Sequence, residues 1–517
     1  MTLPATVTDD LLSRLTRHIA SSTGETEKTV EVFTGGPLAA IPQSTEGDVA
    51  RAAEDARRAQ AEWARTSVRR RMRVFKRFHA LVLKHQAEIV DLIQAETGKS
   101  RRNAFEEVCD PPMTVSHYLG AASRLLKPRR RKGPVPVVVT STEIRRPKGV
   151  IGFISPWNGP FCLGLSDALP ALMAGNGVVL KPDSQTPLSP LYGVDLLYRA
   201  GLPPGLFQVV VGDGPVIGPA VVDNTDYVMF TGSDRTGAQV AARAGGRLAG
   251  CSLELGGKNP LIVLDDADLD VAVEGAVNNA FMAAGQICMH IERIYVPEQM
   301  FDTFRDRMVQ RTRELRLGPG YEFGPDIGSL FSERQLDMVS AHVEDARAKG
   351  ATVHTGGRTR PDLGPAFYEP TVLTGVTPEM TCYADETFGP VVALYPYRTV
   401  EEAVARANDT VYGLNASVYG GDLKRAAAVG RRVRAGTVNI NDGMAAAYSS
   451  IGTPAGGLGR SGIGSRHGDD GLLKYTDVLN LAVQRRQVLG APKGMPYDKH
   501  ADITVKSLRV MRRTRIR

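Results

Sequence analysis

Cysteine is scarce in this 517-residue chain. There are five, at Cys109, Cys162, Cys251, Cys288 and Cys382, and none is closely paired with another. That spacing argues against a disulfide scaffold and fits a reducing compartment. There is no CxxC and no His/Cys cluster at ligand spacing, so no metal is expected. The chain nowhere runs to about 18 uncharged apolar residues, which argues against a membrane span. Its N-terminus, MTLPATVTDDLLSRL, has no basic-then-apolar leader, so a cytoplasmic location is expected. No internal repeat or low-complexity segment stands out.

What is present fits a soluble globular protein: 42% hydrophobic and 23% charged residues in 55.7 kDa, too long for one ordinary core and long enough for two or three domains. The net charge of +7 is a property of the tail. From Arg485 onward ten Lys and Arg face two Asp, a balance of +8, so the preceding 484 residues carry about −1. Charge runs of this kind are usually solvated surface. No nucleic-acid partner is expected, and packing of the tail across a subunit interface is preferred.

Up to about Leu126 the apolar residues recur at helical spacing, as in DVARAAEDARRAQAEWA. Residues 133–147, GPVPVVVTSTEIRRP, are β-branched and bounded by proline, and read as an exposed strand pair. From Val150 five apolar strands (VIGFIS, GVVLKP, FQVVVG, YVMFTG, CSLELGG) alternate with four helices, each connection long enough for a crossover. This pattern predicts a parallel, doubly wound sheet whose ligands lie beyond the carboxyl ends of the strands. Those ends carry Trp157-Asn158, Lys181, Gly212 and Gly214, Gly232-Ser233 and Glu254. After Lys258 a second α/β region begins, with a long helix running into GQIC. Glu254 closes the first region and Cys288 belongs to the second, so the two are expected to face each other across a domain boundary, where clefts commonly form.

Gly457 to Gly462 is a literal GxGxxG, but it follows no apolar strand, and the 55 residues after it leave no room for a nucleotide-binding half. It reads as a Gly-rich loop near the cleft. Gly212-x-Gly214-x-x-x-Gly218 is better placed, after a strand and opening a helix, though its spacing is not the usual fingerprint.

Cys288 lies 34 residues after Glu254 and 130 after Asn158. A thiol, a carboxylate and an amide donor are the three parts needed for thiol attack on a carbonyl. Each has a bland alternative: an inert buried thiol, a charge partner, a turn residue beside Pro160. Glu254 ends an apolar strand at a glycine pair, where burial raises a carboxyl's pKa toward the range of a base. A thiol pair with His290 is disfavoured because i,i+2 positions on a helix do not face each other.

Seven motifs occur in order: SPWNGP, KPDSQTP, FTGS, LELGGKNP, GQIC, ETFGPV and GGLGRSGIG. Together they resemble the aldehyde dehydrogenase family from Trp157 to about Tyr475. The closer likeness, in KPDSQTP, YVMFTGS and RHGDDGLLKYTD, is to its succinate-semialdehyde dehydrogenase (NADP+) type. The resemblance implies two doubly wound α/β domains plus a small β oligomerisation arm. The cofactor-binding domain takes residues 1–132 and 150–254, the catalytic domain 255–450, and the arm 133–149 and 470–490, with 491–517 as a basic C-terminal tail. It also implies a homodimer or homotetramer.

The resemblance further implies oxidation of an aldehyde through a thioester on Cys288, hydrolysed by water that Glu254 activates, with Asn158 holding the oxyanion. NADP, with NAD as an alternative, would meet Trp157, Asn158, Lys181, Pro182, Asp183, Ser184, Gly214, Gly232, Ser233 and Leu255. Glu386 would hold the nicotinamide ribose, with Phe388 near the ring. Members preferring NAD commonly carry glutamate where this chain has Ser184. Ser166 stands where many succinate-semialdehyde members carry a carboxylate-binding arginine, which leaves aromatic and aliphatic aldehydes open. The late motif lacks the family's aromatic residue and lysine. Two rivals are a CoA-acylating enzyme, in which the Glu254 carboxylate tends to be missing, and an inactive homologue kept for binding or structure.

Overall fold

The computed structural model describes residues 2–132, 138–485 and 490–514. The helical N-terminal region contains a feature that its periodicity does not reveal, an antiparallel hairpin of β1 (Thr26–Val30) and β2 (Pro37–Pro42). Helices follow at Glu46–Arg65, Val68–Lys84, Gln86–Thr97 and Arg101–Leu125. The first begins at a capping box: Thr45 Oγ1 accepts from Asp48 N at 3.2 Å, and the Asp48 carboxylate accepts from Thr45 N at 2.8 Å.

The arm begins with β3 (Arg129–Lys132) and β4 (Val139–Pro147). Residues 133–137 of the expected strand pair lie outside the described residues, as do 486–489 of the expected arm. The five strands read from the sequence follow as β5 (Val150–Ile154), β6 (Gly177–Lys181), β7 (Phe207–Val209), β8 (Tyr227–Thr231) and β9 (Gly250–Glu254). The second region supplies β10 (Asn259–Val263), β11 (Ile291–Pro297), β12 (Thr352–Thr355), β13 (Thr371–Thr374), β14 (Val391–Tyr397), β15 (Asn415–Tyr419) and β16 (Thr437–Ile440). Last come β17 (Gly462–Ile463) and β18 (Thr476–Gln484).

Two sheets dominate, in the orders β17-β9-β8-β5-β6-β7 and β12-β13-β14-β11-β10-β15-β16. In the first, β5 to β9 are all parallel, and only β17 runs antiparallel. In its register Ile154 is opposite both Lys181 and Phe230, and Thr231 is opposite Glu254. Parallel strands in that register bring Trp157, Lys181, Gly232 and Glu254 out along a single edge. The N-terminal helices cover this sheet: Phe75, Phe78 and Ile93 share a core with Phe153 and Leu180, all at most 1% exposed. Burying one such side chain stabilises by about 1.5–3 kcal/mol. The second sheet has its own core around Ile262, Ile294, Val372 and Val392. A third, three-stranded sheet in the order β18-β4-β3 forms the arm. The tail ends in a helix, Tyr497–Thr514.

The helix expected to run into GQIC stops early. It spans Leu269–Phe281, and Ala283, Ala284 and Gly285 then take positive φ values of 49°, 55° and 70°. Gly285 is required there, because a β-carbon on it would stand 2.0 Å from the Gly389 carbonyl oxygen. The segment before the thiol is therefore a tight, buried turn of left-handed residues.

Candidate active site

The turn that carries Cys288 is fastened from both sheets. Asn158, 8% exposed, donates from Nδ2 to the Gln286 carbonyl at 3.0 Å. Gln286 is itself locked, its Oε1 accepting from Phe331 N at 2.9 Å and its Nε2 donating to Ala283 O at 3.1 Å. From the other side Asn259 Nδ2 donates to the carbonyls of Cys288 and His290, each at 2.7 Å. Asn158 follows β5 and Asn259 opens β10, so two amides from different sheets grip the same turn.

Cys288 stands outside any helix, so the helical argument against a Cys288–His290 pair has the wrong premise. His290 is occupied elsewhere: Nδ1 lies 2.6 Å from the Ile287 carbonyl and Nε2 lies 3.2 Å from Glu292 Oε1. Burial pushes the Cys288 thiol up to about 12, with the charges of Glu386 and Glu254 adding to the rise and Arg466 opposing it. At neutral pH the protein alone therefore holds a thiol there.

Glu254 ends β9 between β8 and β17 and is 6% exposed. Its Oε1 is buried without a hydrogen-bond partner among the described residues. Burial raises its pKa to about 7, while Arg466 and Lys474 pull it down and Asp167 pushes it up. A carboxyl at that value exchanges protons near neutrality, as a general base must. Leu255, next in the chain, packs on Gly237, where a β-carbon would be 2.5 Å from its Cδ2.

Glu386 and Phe388 reach the same cleft from the loop before β14. Glu386 Oε1 accepts from Gly257 N at 2.9 Å, and a β-carbon on Gly256 would stand 2.3 Å from its other oxygen. Burial pushes its pKa to about 8, with nearby Glu292 adding to the rise. Phe388 has φ of 50°. The loop is held by Glu292, which accepts from Thr387 N at 2.9 Å and Phe388 N at 3.1 Å and is paired with Lys258 and His290. Trp157 stacks on Phe331 with ring centroids 4.3 Å apart and meets Phe388 edge-on at 5.6 Å.

A second group gathers at the ends of β6 and β7. Lys181, 6% exposed, makes no ion pair among the described residues, and a β-carbon on Gly214 would lie 3.9 Å from its Nζ. Burial lowers its pKa, with Asp183 and Asp213 opposing. Ser184 Oγ donates to the Gly212 carbonyl at 2.8 Å. Asp183 turns back to accept from Gln185 N at 3.0 Å, and Pro182 is buried between Lys181 and that loop. Ser233 caps the helix Asp234–Gly246 by accepting from Thr236 N at 3.3 Å. The N–H of Gly232, a residue that the resemblance assigns to the cofactor, is bonded to the Glu254 carbonyl at 3.1 Å, because parallel pairing of β8 and β9 continues one residue past Thr231. Ser166 Oγ bonds the buried Asp110 carboxyl, so no cation stands at that position.

Asn259, Gln286 and Glu292 do this positioning without having been singled out from the sequence. Two of them stood inside quoted motifs. Glu292 had its own signal, an acid beside Arg293 in a strand, IERIYV, that is apolar at its other positions.

This arrangement is a cleft between two α/β sheets with a thiol, a carboxyl and an amide converging in it. The family model described as "Aldehyde dehydrogenase family" matches residues 18–481, and the chain belongs to that family. Among its relatives is the Mycobacterium tuberculosis protein named "Putative succinate-semialdehyde dehydrogenase [NADP(+)] 2", 50% identical over 484 residues, or 94% of this chain and 93% of the relative. The 3-sulfolactaldehyde dehydrogenase of Pseudomonas putida is 36% identical over 89% of this chain and 94% of its own. Among solved structures, Staphylococcus aureus betaine aldehyde dehydrogenase in complex with NAD+ superposes with a TM-score of 0.87 at 29% identity, covering 93% of this chain and 98% of that one. An Escherichia coli NADP-dependent enzyme does so at 0.86 and 33% identity, covering 90% and 96%. No described helix is long and apolar enough to cross a membrane.

Proposed function

We propose that this protein oxidises an aldehyde to the carboxylic acid with NADP+ through a thioester on Cys288, and that succinate semialdehyde is its substrate. One observation carries the mechanism: Asn158 Nδ2 lies 3.0 Å from the carbonyl of Gln286 in the thiol's own turn, and the charge of Glu254 acts on the Cys288 thiol, although the three residues are far apart in the chain.

Cys288 Sγ attacks the aldehyde carbon while its proton passes to Glu254, directly or through water. An amide has two N–H donors and Asn158 spends one on Gln286, so the other, with the Cys288 main-chain N–H, serves the oxyanion. Such a donor is worth about 3–4 kcal/mol of barrier. When bound, the nicotinamide takes up the hydride. Glu254 passes the thiol's proton on to solvent and then removes a proton from water that attacks the thioester; the carboxylic acid departs and the leaving thiolate takes that second proton back, restoring the thiol. A carboxylate in this position favours hydrolysis over transfer to CoA.

The dinucleotide site fits what is present. A buried ammonium, Lys181, lies without an ion pair among the described residues at the carboxyl ends of parallel strands, beside the close backbone approach at Gly214 and the helix start at Ser233. Glu386, set against Gly256 and Gly257, is the group to hold the nicotinamide ribose, with Phe388 and Trp157 near the ring. NADP+ is favoured over NAD+ because Ser184 presents no carboxylate there, and the mycobacterial relative's name agrees.

The same name supports succinate semialdehyde. A specific observation favours a second reading, an aliphatic or aromatic aldehyde: Ser166 points to Asp110 and supplies no positive charge for a substrate carboxylate. Assembly as a homodimer or homotetramer through the arm is part of the proposal, since β18 lies at the arm's edge with Val478, Leu481 and Val483 about half exposed. The test is NADPH absorbance with an aldehyde panel in wild type and Cys288→Ala. Turnover of succinate semialdehyde that vanishes in the folded variant is expected, whereas undiminished turnover in Cys288→Ala would remove the thiol from the mechanism.

A further inference from the structure

Glu254 has charged company that the mechanism above leaves unused. β17 pairs with β9, placing Gly462 opposite Glu254. The chain leaving β17 then doubles back, and Arg466 is fixed by two main-chain bonds to Ala455, at 2.7 and 2.9 Å. The next residue, His467, has φ of 63°. A residue with a side chain keeps that conformation only where its surroundings over-determine it.

The turn delivers the guanidinium inward. Arg466 is ion-paired with the buried carboxylate of Asp167, and Lys474 Nζ lies 3.7 Å from the other Asp167 oxygen. Lys474 Nζ also donates to the Ser465 carbonyl at 3.0 Å, within the same turn. The side chains are 13%, 10% and 6% exposed for Arg466, Lys474 and Asp167, so two cations share the Asp167 carboxylate away from water, with the buried Asp110 carboxyl also near Arg466. A buried positive charge left over in this way needs a further counter-charge. Glu254 lies within electrostatic reach of both cations without bonding to either: Oε1 of Glu254 and Nε of Arg466 are each buried without a hydrogen-bond partner among the described residues.

We propose that Arg466, in the turn that follows the strand paired with β9, and Lys474, both tethered by Asp167, are positioning residues whose buried charge keeps the Glu254 carboxyl ionised for its work as base. This inference rests on the reading of Glu254 as the base. The charged groups facing Glu254 are Arg466 from the turn after β17, Lys474 from the segment before β18, Asp167 from the segment after β5 and the Cys288 thiol from the opposite sheet. Electrostatically Arg466 and Lys474 favour the ionised carboxyl and Asp167 opposes it, so removing a cation and removing the anion have effects of opposite sign.

The experiment is the pH profile of kcat, measured on the full-length enzyme. Arg466→Gln should move the acid limb up by about one pH unit, and Arg466→Lys should bring it back near the wild type. Asp167→Asn should move it down. Because Arg466→Gln deprives buried Asp167 of its main partner and could unfold the protein, Lys474→Met is the companion variant; it leaves the Arg466–Asp167 pair intact and should also move the limb up. A structural role alone would lower kcat or stability without shifting the limb in opposite directions. Folded variants whose acid limbs coincide with the wild type overturn the inference. Glu254→Gln separates the two readings: if the limb survives in that variant, the assignment of the base fails, and if it vanishes while the charge variants leave the wild-type limb unmoved, only this inference falls.

Discussion

Replacing Ser184 by Glu is expected to shift preference from NADP+ toward NAD+ by tenfold or more. Ser184 Oγ sits 2.8 Å from the Gly212 carbonyl, which places the side chain across the ends of β6 and β7, beside the buried ammonium of Lys181. A glutamate reaches two bonds further from the same α-carbon. Its carboxylate repels a 2′-phosphate and at the same time competes for Lys181, and both effects have the same sign. Two unit charges about 4 Å apart repel by roughly 4 kcal/mol at an effective dielectric near 20. Solvent and salt at this partly exposed position reduce that figure, yet about 1.4 kcal/mol suffices for a factor of ten. Loss of the bond to Gly212 costs about 0.5–1.5 kcal/mol for either dinucleotide and so cancels in a ratio. Asp183 does not already play this part, because its carboxylate is turned back onto Gln185 N at 3.0 Å. The readout is kcat/KM for NADP+ divided by kcat/KM for NAD+, with Lys181→Met as companion, expected to lower the same ratio. An unchanged ratio in a folded Ser184→Glu enzyme refutes the placement of the ribose.

Much of this site was legible because parallel α/β sheets announce themselves. The apolar runs that became β5 to β9 are buried on both faces, and alternation with helices fixes the side on which the strands end. That is why Asn158, Lys181 and Glu254 could be placed on one edge from the chain alone. The misses have a common physical cause, since each depends on contacts between segments distant in sequence. The left-handed Ala283 and Ala284 have no glycine signal, and their conformation is imposed by packing around the turn. The Gly232 N–H is taken by the Glu254 carbonyl only because β8 and β9 are neighbours, which no local pattern states. The hairpin of β1 and β2 is short and flanked by helices, so helical periodicity masked it. Arg466 stood in the quoted motif RHGDDGLLKYTD without a role assigned to it, and only the fold turns it inward.

Five further outcomes follow from the geometry. Glu254→Gln should slow NADPH production in both stages, since the thiol loses its proton acceptor and hydrolysis lacks its base; unchanged steady-state turnover would exclude that role. With a carboxyl of pKa about 7 active when ionised, wild-type kcat should rise with pH through neutrality, and a profile flat from pH 5 to 9 would contradict it. Alkylation of Cys288 in the cofactor-free protein should be slow at pH 7 and climb steadily with pH, because burial holds the thiol protonated; fast, pH-independent labelling would refute that. Truncation from Arg485 should weaken the oligomer while sparing chemistry per active site, and light scattering that matches the full chain would return the tail to solvent. The last concerns Glu292, which is paired with Lys258 and accepts the main-chain N–H groups of Thr387 and Phe388. Glutamine retains the acceptor oxygen for the loop but leaves the Lys258 cation, 2% exposed, without its counter-charge. Breaking a buried pair from one side costs about 3–5 kcal/mol, so Glu292→Gln should melt several degrees below wild type. The sign with pH also follows. The partners Lys258 and His290 hold the Glu292 carboxyl well below its ordinary value despite burial, so its contribution is complete above the ordinary glutamate range and is lost progressively as pH falls from that range toward the depressed value. The melting difference between wild type and Glu292→Gln should therefore be largest near neutrality and narrow on acidification, and a difference independent of pH would mean that the pair is not what holds the loop of Glu386 and Phe388 against the thiol.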